Sequence, residues 1–267
     1  MARRRRRAVS LLEYVRRERP EGEDAAALIG AGLVRVDGVV RTSEAFAVRA
    51  GAAVVIGPGA ALRGEAKLRA ALERFRVPVA GRVALDVGAA AGGFTRVLLE
   101  AGARRVYAVD AGHGQLLGSL RQDARVVNLE ATNVGVLTVA LVPEEVEVVT
   151  VDVSYLSLAA AVAQVGRIGV APGADLVGLV KPMFELRLGQ PPEDEARLEQ
   201  ALALAIAGVG AAGWRVLESM PSPVRGARGA REFLIRASRD AAGTAGTAGT
   251  GDAAAGTREG AAGPEPG

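Results

Sequence analysis

One glycine-rich turn constrains the fold of this chain more than any other stretch. Val83-Ala84-Leu85-Asp86-Val87-Gly88-Ala89-Ala90-Ala91-Gly92-Gly93-Phe94-Thr95 reads as a buried strand, a turn and the start of a helix. The apolar opening suits a parallel strand covered on both faces. Gly88, Gly92 and Gly93 allow a sharp bend and the close approach of a ligand. The helix expected over 94–101 aims its first N–H groups back at the turn, and Gly102 ends it. The unit is a nucleotide-type site, with a plain strand-to-helix turn as the competing reading.

Around it the chain alternates. A helix is expected over 65–74, with Leu68, Leu72 and Phe75 on one face. Strands follow at 83–87, 105–110, 126–130, 146–153, 175–181, 214–219 and 232–237. Helices fall at 94–101, 114–121, 156–165 and 193–209. This predicts an α/β fold, a doubly wound, Rossmann-like sheet with helices on both faces. No helix separates the last two strands, so one of them runs antiparallel. Upstream, 9–19 and 25–31 read as short helices, the first ending before Pro20 and the second opened by Glu23-Asp24 and ended by Gly32. Strands follow at 33–36, 39–41 and 53–56, with Asp37-Gly38 as a hairpin turn. The expected organisation is a basic disordered arm (1–8), a small α+β module (9–58), the large domain (62–238) and a disordered Ala/Gly/Thr tail (239–267), with the main boundary in 57–64.

Composition narrows the chemistry. There are no cysteines and a single histidine, His113. Disulfides, a thiol nucleophile and histidine-rich metal sites are excluded, so no metal is expected. Five N-terminal arginines have no apolar segment behind them, which is unlike a secretory signal. No apolar run reaches the length of a membrane span, so a cytoplasmic protein is expected, without a membrane partner. Residues 1–80 carry 16 Lys/Arg against 9 Asp/Glu, and the rest carry 17 against 21. A basic first part on a more neutral body fits a polyanion partner; a solvated tail would look similar, since Arg3 to Arg7 supply much of the excess. Aromatic content is only 3%, so stacking of bases on aromatics does not dominate recognition.

The turn itself is a poor match to a pyrophosphate. A dinucleotide fingerprint wants glycine at 88, 90 and 93, and position 90 is alanine. Asp86 and Asp110 end neighbouring strands. A carboxylate at the second of these takes a ribose diol, unless it only caps the next segment. Two acids around a glycine turn suit a nucleoside bearing positive charge, S-adenosylmethionine. Asp152 and Lys181 end two further strands and should lie side by side. From these two alone, a catalytic pair and a structural ion pair are equally good readings.

Leu85-Asp86-Val87-Gly88, Gly92-Gly93-Phe94-Thr95, Val106-Tyr107-Ala108-Val109-Asp110, Gly114-Gln115-Leu116, Val151-Asp152-Val153-Ser154, Val180-Lys181-Pro182 with Phe184-Glu185, and Gly229 with Glu232-Phe233-Leu234 occur in this order. In these motifs the chain resembles the TlyA (hemolysin A) family of ribosomal RNA 2′-O-methyltransferases. The resemblance implies an FtsJ-like catalytic domain behind a small RNA-binding module like that of ribosomal protein S4. It also implies a Lys-Asp-Lys-Glu tetrad, here Lys67, Asp152, Lys181 and Glu232. Lys181 would be the base, Asp152 and Glu232 would orient and balance the cations, and Lys67 would position the ribose. Spacing alone does not single out Lys67.

Three departures stand out. Glu21-Gly22-Glu23-Asp24 is acidic where the family has a Ser-Arg pair, Glu65 replaces a glycine, and Ala230 replaces an asparagine.

The expected activity is S-adenosylmethionine-dependent methylation of a ribose 2′-hydroxyl, cytidine by resemblance, in ribosomal RNA or a ribosomal subunit, by a monomer. Asp86, Gly88, Gly92, Gly93, Phe94 and Asp110 would hold the cofactor, with Glu130 and Asn133 near the adenine. The alternative is a non-catalytic RNA-binding protein of ribosome assembly that keeps the fold. Convergence of the tetrad beside the glycine turn decides between them.

Overall fold

The computed structural model describes residues 9–18, 24–30, 32–36, 39–49, 52, 54–56, 63–226 and 229–239. The basic arm, Pro20, Glu21 to Glu23, the Asp37-Gly38 turn, the 57–62 boundary and tail residues 240–267 lie outside these.

The first elements are short, so side-chain caps and shared burial hold them. β1 (Val9–Ser10) leads into α1 (Leu11–Glu18), where the Ser10 hydroxyl accepts from Glu13 N–H and Leu11 and Val15 are fully buried. Asp24 caps α2 (Ala25–Gly30) through Ala26 N–H, and Gly32 ends it at φ +72°. β2 (Val34–Val36) lies between β3 (Val39–Val40) and β5 (Val54–Ile56), all antiparallel. β4 (Ala47–Val48), which the sequence pattern did not show, pairs with β1. Leu11, Val15, Leu28, Ile29, Val34, Val36 and Val48 share a core of their own.

α3 (Arg63–Phe75) starts two residues before the expected helix and buries Leu68, Ala71 and Phe75. Then come β6 (Val83–Val87), α4 (Gly93–Glu100), β7 (Arg105–Val109), α5 (Gly118–Arg121) and β8 (Val126–Leu129). β9 (Val146–Val151), α6 (Leu158–Val165), β10 (Val170–Val180), α7 (Pro182–Glu185), α8 (Glu195–Ala211), β11 (Trp214–Pro221) and β12 (Phe233–Arg239) complete the described elements. The large sheet has the order β11-β12-β10-β9-β6-β7-β8. β12 is the antiparallel strand expected near the end. Arg239, assigned to the tail by composition, closes β12 and donates to Ala212 O.

Period-two alternation sorts the strand residues between two layers. Leu85, Val87, Val109, Val149, Val151 and Val180 pack with α6 and α8. Ala84, Ala108, Val148, Leu179 and Leu234 pack with α3 and α4. By parity, Asp86, Asp110, Asp152, Lys181 and Glu232 all belong to the α3/α4 side. One expected helix is much shorter: 114–121 shrinks to α5. Leu117 is extended (φ −54°, ψ 138°), so the helix starts only after it, and Glu130 accepts from Gln115 N–H (2.5 Å) and Leu116 N–H (3.0 Å) in the loop before it.

The two cores meet at the loop before α5. Thr42 donates its hydroxyl proton to Gly114 O at 3.0 Å, and a Cβ on Gly32 would run into Leu117.

Candidate active site

The carboxyl ends of β6, β7 and β9 frame the site, where an open α/β sheet binds its ligands. Strand pairing continues past them: Gly88 and Ala89 N–H donate to Val109 O, and Asp152 N–H donates to Val87 O. Gly88 sits at φ +88°, and a Cβ there would collide with the Asp152 carbonyl. This glycine is therefore required by the chain's own backbone. Ala90 also holds a left-handed conformation, φ +46°, and donates its N–H to Asp110 Oδ2 at 2.8 Å. The turn thus keeps a glycine-like geometry at position 90 with an alanine in place, at a cost of about 1 kcal/mol.

A cavity of about 280 Å³ opens over this turn, with Gly88, Asp110, Gly112, Gln115, Thr132 and Tyr155 among its walls. Asp110 Oδ1 takes Gly112 N–H at 2.6 Å, so both of its oxygens are fixed by backbone donors. Asp110 and Asp152 supply the only side-chain charges in its lining; no lysine or arginine is there. An acceptor-rich wall without a cation repels a phosphate and suits a diol, an amine and a sulfonium. The residues present therefore fit S-adenosylmethionine.

A second cavity, about 420 Å³, adjoins the first and shares Gly88, Ala90, Asp152 and Ser154 with it. Lys67, Asp152, Lys181 and Glu232 all line it. They form two ion pairs. Lys181 Nζ lies 2.6 Å from Asp152 Oδ1 and donates to Ser154 Oγ at 2.7 Å, which places it at the boundary between the cavities. Lys67 Nζ donates to Glu232 Oε2 at 2.5 Å, and both side chains are about 5% exposed. Pro182 starts α7 directly after Lys181, as its fixed φ favours, and Met183 and Phe184 add an apolar wall. Glu185 turns away and accepts from Leu158 N–H at 2.7 Å, anchoring α6. Glu65, the acid beside Lys67, is drawn off by Arg96 at 3.0 Å and is absent from the cavity lining.

The other expected cofactor residues stand behind the cavity. Asp86 is fully buried under α4, and its carboxylate takes the hydroxyls of Thr95 (2.7 Å) and Thr150 (2.9 Å). Phe94 is a core residue. Gly92 is the left-handed residue before α4, where a Cβ would strike Leu120, and Gly93 begins that helix. Glu130 holds the 115–116 backbone, and Asn133 caps a short 3₁₀ turn through Gly135 N–H. Neither Glu130 nor Asn133 lines a cavity around the turn; Thr132 and Val134 beside them do. His113 is exposed. Residues not singled out from the sequence, Gly112, Gln115, Ser154 and Tyr155, complete the walls. Gln115 and Ser154 sit in the quoted motifs, but motif membership says nothing about facing.

Burial pushes the Asp86 carboxyl up to about 6; the two threonine hydroxyls offset part of this, and the Asp152 charge adds to it. The folded-state value exceeds the unfolded one. The contribution of Asp86 to stability is therefore fully present below about pH 4 and is lost as pH rises through 6. The loss amounts to about 3 kcal/mol. Asp86→Asn removes this titration. Denaturant unfolding between pH 4 and 7 should show wild-type stability falling relative to the variant by about that amount. A constant difference would contradict the buried-acid assignment.

The fold and site define a class, a methyltransferase of the nucleoside-cofactor type. The FtsJ-like methyltransferase family profile matches residues 61–239. The chain is 41% identical over 226 residues to the Mycobacterium tuberculosis H37Rv protein named 16S/23S rRNA (cytidine-2′-O)-methyltransferase TlyA, covering 80% of this chain and 82% of that one. It is 34% identical over 238 residues to Hemolysin A of Brachyspira hyodysenteriae, covering 83% and 96%. Among solved structures, a putative hemolysin from Streptococcus thermophilus aligns with a TM-score of 0.67 at 28% identity, covering 88% and 89%. The chain belongs to the TlyA/hemolysin A family of FtsJ-like methyltransferases, and S-adenosylmethionine is its cofactor.

Proposed function

We propose that this enzyme methylates a ribose 2′-hydroxyl, that of a cytidine, in ribosomal RNA. The observation that carries the reading is Lys181 Nζ held at the boundary between the two cavities by Asp152 and Ser154. S-adenosylmethionine, when bound, supplies a methyl group already activated by its sulfonium. The chain's task is alignment and proton removal, because a ribose hydroxyl is a poor nucleophile. Asp110 takes the cofactor's ribose diol. Gly88 and Ala90 form the floor the two cavities share. Lys181, having first released its own proton to solvent, accepts the 2′-hydroxyl proton, and Asp152 stabilises the ammonium that re-forms. Lys67, fixed by Glu232 in the same cavity, orients the target ribose.

Residues 9–58 act in this reading as an S4-like RNA-binding module, with Arg3 to Arg7 adding salt-sensitive attraction to phosphate. In this reading the enzyme acts on ribosomes in the cytoplasm, as a monomer. No helix among the described residues is long and apolar enough to cross a membrane. The alternative of a non-catalytic assembly factor has no use for two ion pairs facing one cavity. The test is transfer of labelled methyl from S-adenosylmethionine to ribosomal subunits from cells lacking the modification. Label should enter the RNA; cofactor binding without transfer would favour the assembly factor.

A further inference from the structure

A third cavity, about 690 Å³, adjoins the tetrad cavity and shares Pro191, Ala230 and Arg231 with it. Arg225 and Glu193 line its outer part. With Glu195 released from Arg231, two arginines against Glu193 leave this lining one net positive charge. Three cations line the tetrad cavity: Lys67, Lys181 and Arg231. The two lysines are tied to tetrad carboxylates, both at least three-quarters buried. Arg231 instead pairs with Glu195, whose side chain is 68% exposed. Exposed pairs of this kind are worth little, so Arg231 can change partner at small cost.

Resting on the proposed ribose methylation, we infer that Arg231, supported by Arg225, binds the phosphodiester on the 3′ side of the target nucleotide and exchanges Glu195 for it. The 2′-hydroxyl and the 3′-phosphate oxygen sit on neighbouring ring carbons. A ribose presented to Lys181 must therefore carry its 3′-phosphate along a wall of the same cavity. A guanidinium matches that group with paired N–H donors, and a single phosphodiester balances the single net charge. Arg225 is already oriented, donating to Gly229 O at 3.1 Å.

The test uses the full-length enzyme with unmodified ribosomal subunits over a range of salt. Arg231→Ala should raise KM about tenfold and reduce the log–log salt slope of binding by about one. Glu195→Gln, which frees Arg231, should tighten RNA binding at least about twofold. Cofactor affinity, measured without RNA, should match wild type in both variants. Unchanged KM and slope in Arg231→Ala, or unchanged or weaker binding in Glu195→Gln, would overturn the subsite. Should Arg231→Ala fail to fold, the Glu195→Gln arm decides alone. Absence of transfer by the wild type would instead remove the ribose-methylation reading, so the two failures are distinct.

Discussion

Alanine in place of Lys181 should lower the methyl-transfer rate about 10³-fold and leave S-adenosylmethionine affinity within about threefold. Loss of a positioned proton acceptor typically costs this much. Lys181 faces the tetrad cavity and is absent from the lining of the cofactor cavity, so binding and chemistry should separate. Stability should change little, because the Asp152 left behind is 22% exposed and water can reach it. Single-turnover kinetics and calorimetric cofactor binding together make the measurement. A rate within tenfold of wild type would move the proton to another group.

The second large effect concerns Lys67 and Glu232. Their ion pair, about 5% exposed on both sides, ties α3 to the residue before β12. Removing one partner strands the other charge away from water, at about 3–5 kcal/mol. Glu232→Gln should therefore destabilise the protein by about that amount as well as inactivate it. Changing both partners, Lys67→Met with Glu232→Leu, should recover most of the stability, since a packed apolar pair replaces a buried ionic one without leaving an orphan. It should recover none of the activity. Thermal unfolding and transfer assays on the three variants test this. Activity in the stable double variant would make the pair purely structural.

The sheet was legible because the central strands are valine-rich apolar runs, Val83–Val87 with a glycine turn directly after it, and the missing helix before β12 marks the antiparallel strand. β4 is two residues long and carries no period of its own; only its partner β1 makes it a strand. The helix expected over 114–121 is cut short because Gly114 is left-handed at φ +68° and Leu117 is extended at ψ 138°, so the helical turns begin only at Gly118.

At the site, Asp152 and Lys181 could be placed side by side from strand ends alone. Lys67 and Glu232 could not, since 165 residues separate them and only α3 packing beside β12 brings them together. Asp86 reads as a cofactor residue from the sequence because an acid at a strand end beside the glycine turn can accept from an amine or hydroxyl. It shares its facing with Asp110 and Asp152, but those two lie just past their strands while Asp86 lies inside β6, where Thr95 and Thr150 take its oxygens. Glu130 and Asn133 were chosen by sequence position near the adenine, yet their side chains serve nearby backbone N–H groups while Thr132 and Val134 form the wall.

Methyl transfer to a ribose oxygen and transfer to a base leave different products in alkali. Alkaline hydrolysis of RNA needs a free 2′-hydroxyl to attack the neighbouring phosphate, and a 2′-O-methyl group blocks that cut. Ribosomal RNA labelled by this enzyme, hydrolysed in alkali and separated by size, should release its label in alkali-stable dinucleotides with cytidine at the 5′ position. Label recovered in mononucleotides would place the methyl on a base and contradict the account.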